Sequence, residues 1–179
     1  MITILSGRVH GGKTTLLQKS LSRWAAHGFQ FGGFLSLCVR GPGGAAEYDF
    51  LDLKDGRRLP FLRRAGDAEW EHIGPYYFVP ETLETARTVI RQAGPDEVLV
   101  VDEVGPLELA HGGLWPALNE VIFRPGGRTL IVAREEILED LFRLLGTTVP
   151  LIVDVADPNA QRLLDQSLFG LVKPHDDQG

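Results

Sequence analysis

The chain has 179 residues, enough to bury a core without disulfide or metal staples, and one domain spanning 1–179 is the expectation. Apolar residues make up 44% and charged residues 23%, which excludes disordered, collagen-like and tail-like chains. A formal net charge of -6 argues against a surface built to neutralise nucleic-acid phosphates. The lone cysteine, Cys38, allows no internal disulfide and no zinc site, so a reducing compartment is expected.

Met1 to Ser6 reads as a strand with no basic or apolar leader ahead of it, and no apolar run approaches the ~20 residues that span a bilayer. A cytoplasmic protein without a membrane partner is therefore expected. Gly7 ends that strand, and a glycine-rich stretch leads into a helix from about Lys13 to Ala26. There Leu17, Leu21 and Trp24 recur at i, i+4, i+7, and Gly28 gives the stop. Phe31 to Val39 is a second strand, broken by Gly41-Pro42-Gly43-Gly44. Tyr48 to Leu53 and Leu59 to Leu62 flank Asp55-Gly56 and form a hairpin, so residues 41–75 read as an inserted antiparallel element.

Tyr76 to Val79 is a short strand and Glu81 to Ala93 a helix, with Leu83, Ala86, Ile90 and Ala93 on one face and Gly94-Pro95 at its end. Val98 to Val101 is a continuous apolar run of the kind buried on both faces of a parallel sheet, and it ends in Asp102-Glu103. A weaker helix from Leu114 to Phe123, a strand from Thr129 to Ala133, a helix from Glu135 to Leu145 and a strand from Leu151 to Val153 follow. The closing helix takes Asp157 as N-cap and Pro158 at N1, and residues 173–179 read as a frayed tail. Strands alternating with helices predict an α/β fold with a mainly parallel sheet flanked by helices on both faces. Ligands of such sheets bind beyond the C-terminal strand ends.

Gly7-Arg8-Val9-His10-Gly11-Gly12-Lys13-Thr14 satisfies GxxxxGK[ST], the P-loop pattern, with an apolar strand before it and a helix after. The glycines let successive backbone N–H groups turn inward around a phosphate, and the helix N-terminus adds partial positive charge at the same point. Lys13 is placed to bridge the outer phosphates, Thr14 to put its hydroxyl on Mg²⁺, and Thr15 to continue the binding turn. The charge pattern agrees: residues 1 to 40 hold five cations and no acid, while the rest hold 13 basic against 24 acidic groups. A local positive field on an acidic chain suits a small polyanion.

Asp102 and Glu103, closing an apolar strand, fit a Walker B element. Asp102 is assigned to the metal, and Glu103 to orienting or deprotonating an attacking water. Arg134 ends the Thr129 to Ala133 strand at the same edge and is a candidate γ-phosphate sensor, although a cation at a helix start is opposed by the dipole.

With Gly7 to Leu16, Gly32-Gly33-Phe34, Val39-Arg40, Ile73-Gly74-Pro75-Tyr76 and above all Val101-Asp102-Glu103-Val104-Gly105-Pro106-Leu107-Glu108-Leu109, the chain resembles the small P-loop nucleoside-triphosphatases of the THEP1 type. The resemblance implies Mg²⁺-dependent hydrolysis of ATP, GTP and other nucleoside triphosphates to diphosphate and phosphate, with loose base preference. Cys38 and Gly41 to Ala46 depart from the family pattern on the partner side, and no protein partner is specified. Arg40 and Asn159 match family positions: Arg40 suits phosphate contact or an ion pair, and Asn159 a base contact or a cap. Glu108 suits a cap or salt bridge as well as catalysis. Two other readings share the loop. A small-molecule kinase would need an arginine-rich lid, for which Arg57, Arg58, Arg63 and Arg64 are available. A nucleotide-dependent binding module would hydrolyse slowly to reset a partner.

Overall fold

The computed structural model describes residues 1 to 170, so the expected tail at 173–179 lies outside the described residues. Five parallel strands form the body of one sheet: β1 (Ile2–Gly7), β2 (Phe31–Arg40), β7 (Val98–Val104), β8 (Arg128–Arg134) and β9 (Leu151–Asp154). Antiparallel strands β3 (Ala46–Asp52), β4 (Arg58–Arg63), β5 (His72–Ile73) and β6 (Tyr76–Phe78) extend it past β2, giving the order β5-β6-β4-β3-β2-β7-β8-β1-β9. The hairpin expected around Asp55-Gly56 is β3–β4, and β5 and β6 lengthen it.

Side chains alternate between the two faces of a strand, and here each face carries its own apolar layer. Leu5, Leu35, Val98, Val100, Leu130 and Val132 face α1 (Lys13–Ala26) and α6 (Ala160–Phe169), whose Leu17, Leu21, Trp24, Leu164 and Leu168 complete that layer. Their neighbours Ile4, Phe34, Leu99, Val101 and Ile131 face the other way. They meet Leu83, Ala86 and Ile90 of α2 (Pro80–Arg91), Leu118 and Val121 of α4 (Trp115–Val121), and Leu141 and Leu145 of α5 (Leu138–Leu145). Burial on both faces explains why the β7 sequence is an unbroken apolar run. Between β7 and α4 a four-residue helix, α3 (Pro106–Leu109), starts at a proline in its first position. Among the described residues, no helix is long and apolar enough to cross a membrane.

Most boundaries differ from expectation by one to three residues, and two of the differences bear on named residues. The helix expected over Glu135 to Leu145 begins with a 3-10 turn at Glu135–Ile137. Ile137 at φ -104°, ψ 1° separates that turn from α5, so Arg134 stands at the start of a single 3-10 turn and not of α5, and the opposing dipole is that of one short turn. At the C-terminal end Asp157 does not cap α6. Its Oδ1 accepts the Asn159 N–H at 2.7 Å in a local turn, and the helix starts two residues later than expected. The Asn159 side chain makes no cap bond.

Gly33 shows how tightly β2 and β7 are joined. Its φ is +93°, and a Cβ there would collide with the Val100 carbonyl oxygen directly across the ladder. Gly56 has a similar φ of +73° at the β3–β4 turn but open space around it. Gly33→Ala is therefore expected to incur ~1–2 kcal/mol of left-handed strain and to break the β2–β7 ladder at this point. Gly56→Ala should incur the strain alone. Urea unfolding of the two variants side by side checks this: equal midpoints would mean that the close approach of Gly33 to β7 carries no weight.

Candidate phosphate and cation site

The site starts from what α1 leaves open. The first four N–H groups of a helix need partners, yet α1 has no side-chain cap and no acidic residue in its first turn, and Gly12 before it is left-handed at φ 89°. Its first-turn amides, with those of the loop apart from Gly11, are open to an anion. The loop is closed by the Gly11 N–H donating to the Arg8 carbonyl at 3.0 Å. Lys13 folds back so that Nζ donates to the Gly7 and Arg8 carbonyls, both at 2.8 Å. Val9, His10, Gly11, Gly12, Lys13, Thr14 and Thr15 line a cavity of about 320 Å³. Gly7 and Arg8 stand behind it. A Cβ on Gly7 would come within 2.5 Å of Val155, so glycine there lets the loop lie against the segment after β9. The Arg8 side chain turns outward to Glu135 at 3.1 Å.

Asp102 reaches this cavity from β7 by strand parity. It continues the Val98–Val100 side of the strand, the side that carries α1. It is 3% exposed, and its Oδ2 accepts the Ser36 N–H at 3.2 Å. Burial pushes its carboxyl up to about 7, with the Glu103 charge acting in the same direction. The Ser36 amide, the Lys13 charge and the Thr14 hydroxyl oppose the shift without cancelling it. β8 lies between β7 and β1, so the two strand ends are about 10 Å apart, and Thr14 at the start of α1 spans that distance to bring its hydroxyl to the Asp102 carboxyl. Both side chains line the cavity.

Glu103 is placed by a bulge. The β7–β8 register shifts between Asp102, opposite Val132, and Val104, opposite Ala133, so Glu103 is the extra residue. Its φ is +96°, a conformation that costs a non-glycine residue about 1–3 kcal/mol and gathers at working sites. Arg134, at the end of β8, donates from Nε at 2.9 Å and Nη2 at 2.8 Å to one oxygen, Glu103 Oε1. Both side chains line the phosphate cavity.

Ser36, Cys38 and Tyr48 also line the cavity and carry no sequence motif. They arrive through the pairing of β2 with β7 and β3, in which Cys38 stands opposite Tyr48. Burial pushes the Tyr48 hydroxyl up to about 12, so it stays protonated throughout the physiological range. Glu108 is a cap: it is 2% exposed, and its two oxygens accept the Gly105 N–H at 2.9 Å and the Leu114 N–H at 3.0 Å. Arg40 is exposed and lies outside the cavity lining. The arginines available for a kinase lid are engaged along the insertion instead. Arg57 reaches Asp52 at 3.8 Å, Arg58 and Arg63 hold Asp49 at 2.8 and 2.5 Å, and Arg64 lies over the Tyr76 ring.

The raised carboxyl of Asp102 has a consequence for stability. Between the ordinary aspartate value of 3.8 and about 7, the folded chain keeps a proton that the unfolded chain has released. Asp102 therefore supports the fold below that window, and its contribution is lost as the pH rises through it. Thermal unfolding without nucleotide or divalent cation should show melting temperature falling from pH 5 to pH 8, and Asp102→Asn should flatten that fall. Parallel profiles for wild type and variant would contradict a buried, undercompensated carboxylate.

A family model described as NTPase matches residues 2–166. Similar curated proteins include the nucleoside-triphosphatases THEP1 of Thermofilum pendens, 32% identical over 66% of this chain and 66% of that protein, and of Methanopyrus kandleri, 34% identical over 65% and 64%. These matches span a little under two thirds of the relatives' own length. Among solved structures, a human cancer-related nucleoside triphosphatase has a TM-score of 0.69 and 26% identity, covering 92% of this chain and 93% of that one. THEP1 from Aquifex aeolicus has a TM-score of 0.74 over 97% and 100% of the two chains, and at 19% identity it shows the shared fold. With nearly the whole described chain inside the family match and the loop, Asp102 and Glu103 gathered at one cavity, the chain belongs to this NTPase family.

Proposed function

We propose that the chain, acting as a single cytoplasmic domain, hydrolyses nucleoside triphosphates to diphosphate and phosphate. The observation that carries this is the uncapped start of α1 facing the buried carboxylate of Asp102 across one cavity: a built anion cradle beside a carboxylate short of positive charge. The family membership and the named relatives support the same reading. Base preference is loose in this reading, in line with the family resemblance, since the cavity residues described above are those of a phosphate cradle.

The residues present suit Mg²⁺. The Thr14 hydroxyl and the Asp102 carboxylate are hard oxygen donors, and among the described residues no cluster of three or more His, Cys, Asp or Glu could hold a metal alone. That is the pattern of a cation completed by phosphate oxygens and water. When bound, Mg²⁺ supplies charge neutralisation at the β- and γ-phosphates.

The chain's own residues do the rest. The loop and helix amides hold the phosphates. Lys13 Nζ exchanges its two carbonyl partners for phosphate oxygens, so the ammonium moves little on binding. Glu103 receives the proton of the attacking water as the water oxygen bonds to the γ-phosphorus and the bond to the bridging oxygen breaks. Arg134 holds Oε1 of Glu103, leaving Oε2 for that water, and places its own charge where the transition state spreads negative charge. Arg134 is thus both a positioning residue and an electrostatic one.

Lys13→Ala is expected to fold normally and to lose about 10²-fold in turnover, the usual effect of removing one preorganised donor. Glu103→Gln should bind triphosphate with unchanged affinity and hydrolyse it slowly, while Arg134→Ala should lower kcat more than it raises KM. Phosphate release and nucleotide binding measured on the three variants decide the assignment. Near-normal hydrolysis by folded Lys13→Ala would remove the phosphate role of the loop.

A further inference from the structure

A second cavity of about 250 Å³ opens beside the first, on the opposite face of the sheet from α1. Its walls are apolar, formed by Phe61, Leu62, Ile73, Pro75, Phe78 and Val104. At one end it shares Ser36, Tyr48, Asp102, Glu103 and Arg134 with the phosphate cavity. Its volume lies just below the ~300–1,000 Å³ of pockets that take drug-sized molecules, which limits it to a compact ligand.

Ser36 supplies an independent observation. Along β2, Phe34 packs on this second face while Leu35 and Leu37 pack toward α1. Strand alternation therefore puts the Ser36 side chain on the cavity's face. The residue is 6% exposed, and its Oγ has no hydrogen-bond partner. Its backbone N–H is committed to Asp102, so the hydroxyl is the group left over. A buried hydroxyl without a partner carries an uncompensated desolvation cost, and such a group beside an apolar cavity is what a ligand with one matching polar atom would satisfy.

We propose that this cavity is a second ligand site, for a neutral ring compound carrying a hydroxyl group that bonds Ser36 Oγ. Neutrality follows from the rim: the Glu103 charge is already met by Arg134, the two oxygens of Glu108 are taken by backbone N–H groups, and Asp102, which also lines this cavity, belongs to the α1 side of β7 and accepts the Ser36 N–H. An added anionic group would face these carboxylates with no free counter-charge. The ring fits between Phe61, Ile73 and Pro75 by ordinary apolar burial. Binding here does not depend on the hydrolysis reading, because it uses neither the loop nor a nucleotide.

The probes are 2-naphthol, its methyl isostere 2-methylnaphthalene and the anion 2-naphthoate. Binding to the nucleotide-free chain is followed by ligand-observed saturation-transfer NMR with competition titrations. The expected order is 2-naphthol, then 2-methylnaphthalene, with 2-naphthoate weakest. Ser36→Ala should weaken 2-naphthol by about 3- to 10-fold, the worth of one hydrogen bond, and leave 2-methylnaphthalene unchanged. Ile73→Trp, which fills the cavity, should abolish binding of both. Leu62→Trp is the second filling variant should the first unfold. Lys13→Ala should bind 2-naphthol as wild type does, even with hydrolysis lost, so failure of one reading is told apart from failure of the other. Absence of binding to wild type, binding indifferent to both filling variants, or equal loss of the two ring compounds in Ser36→Ala would each overturn the site.

Discussion

One carboxylate kept out of water beside a ring of unclaimed amides organises this molecule. Asp102 is buried because it continues a strand that must be apolar on both faces, and it faces α1 because parity gives its side of β7 to the layer containing Leu17 and Leu21. Neither group is content alone. The α1 amides lack acceptors, and the carboxyl of Asp102 is pushed up to about 7 for want of positive charge. In the proposed reading a divalent cation held together with a phosphate would satisfy both at once, and β8 between the two strands sets the spacing of the strand ends.

The second carboxylate is handled in the opposite way. Glu103 is turned out of the strand by a bulge, held at a backbone angle that glycine would normally take, and tied through one oxygen to Arg134. The two adjacent acids thus differ in environment: one is buried and short of counter-charge, the other half-exposed and paired. In the proposed mechanism that difference, and not their shared chemistry, divides metal holding from proton acceptance. The same bulge returns Val104 to the second apolar layer, so a single inserted residue joins the phosphate cavity on one face to the apolar cavity on the other.

Much of this was readable in the sequence where the cause is local. The Gly7 to Thr14 spacing, the apolar strand before it and the i, i+4, i+7 face of α1 specify strand, loop and helix with bounds that the structure reproduces. Asp102 was readable because an apolar run stops there. The sheet order was less so, since β3 to β6 attach through long-range pairing of short strands with weak patterns. Ser36 and Tyr48 carried no mark of their own, because they enter the site only through the registers of β2 with β7 and β3. Arg134 could be placed at the right edge, but its partner could not be named without the bulge at Glu103. Asp157 misled as a cap because aspartate serves a turn as readily as a helix start.

In the proposed reading the loop and Asp102 form one site whose two deficits, of acceptor and of positive charge, are relieved together. Linkage then requires that triphosphate and Mg²⁺ each raise the other's affinity by the same factor. Calorimetric titration of a non-hydrolysable triphosphate into the wild-type chain over a series of Mg²⁺ concentrations measures that factor directly, once corrected for the Mg²⁺–triphosphate complex formed in buffer. Affinity is expected to rise at least tenfold from chelator to saturating Mg²⁺, with the gain largely absent in Asp102→Asn. Triphosphate binding that is equally tight in chelator, or a gain that survives in Asp102→Asn, would contradict it.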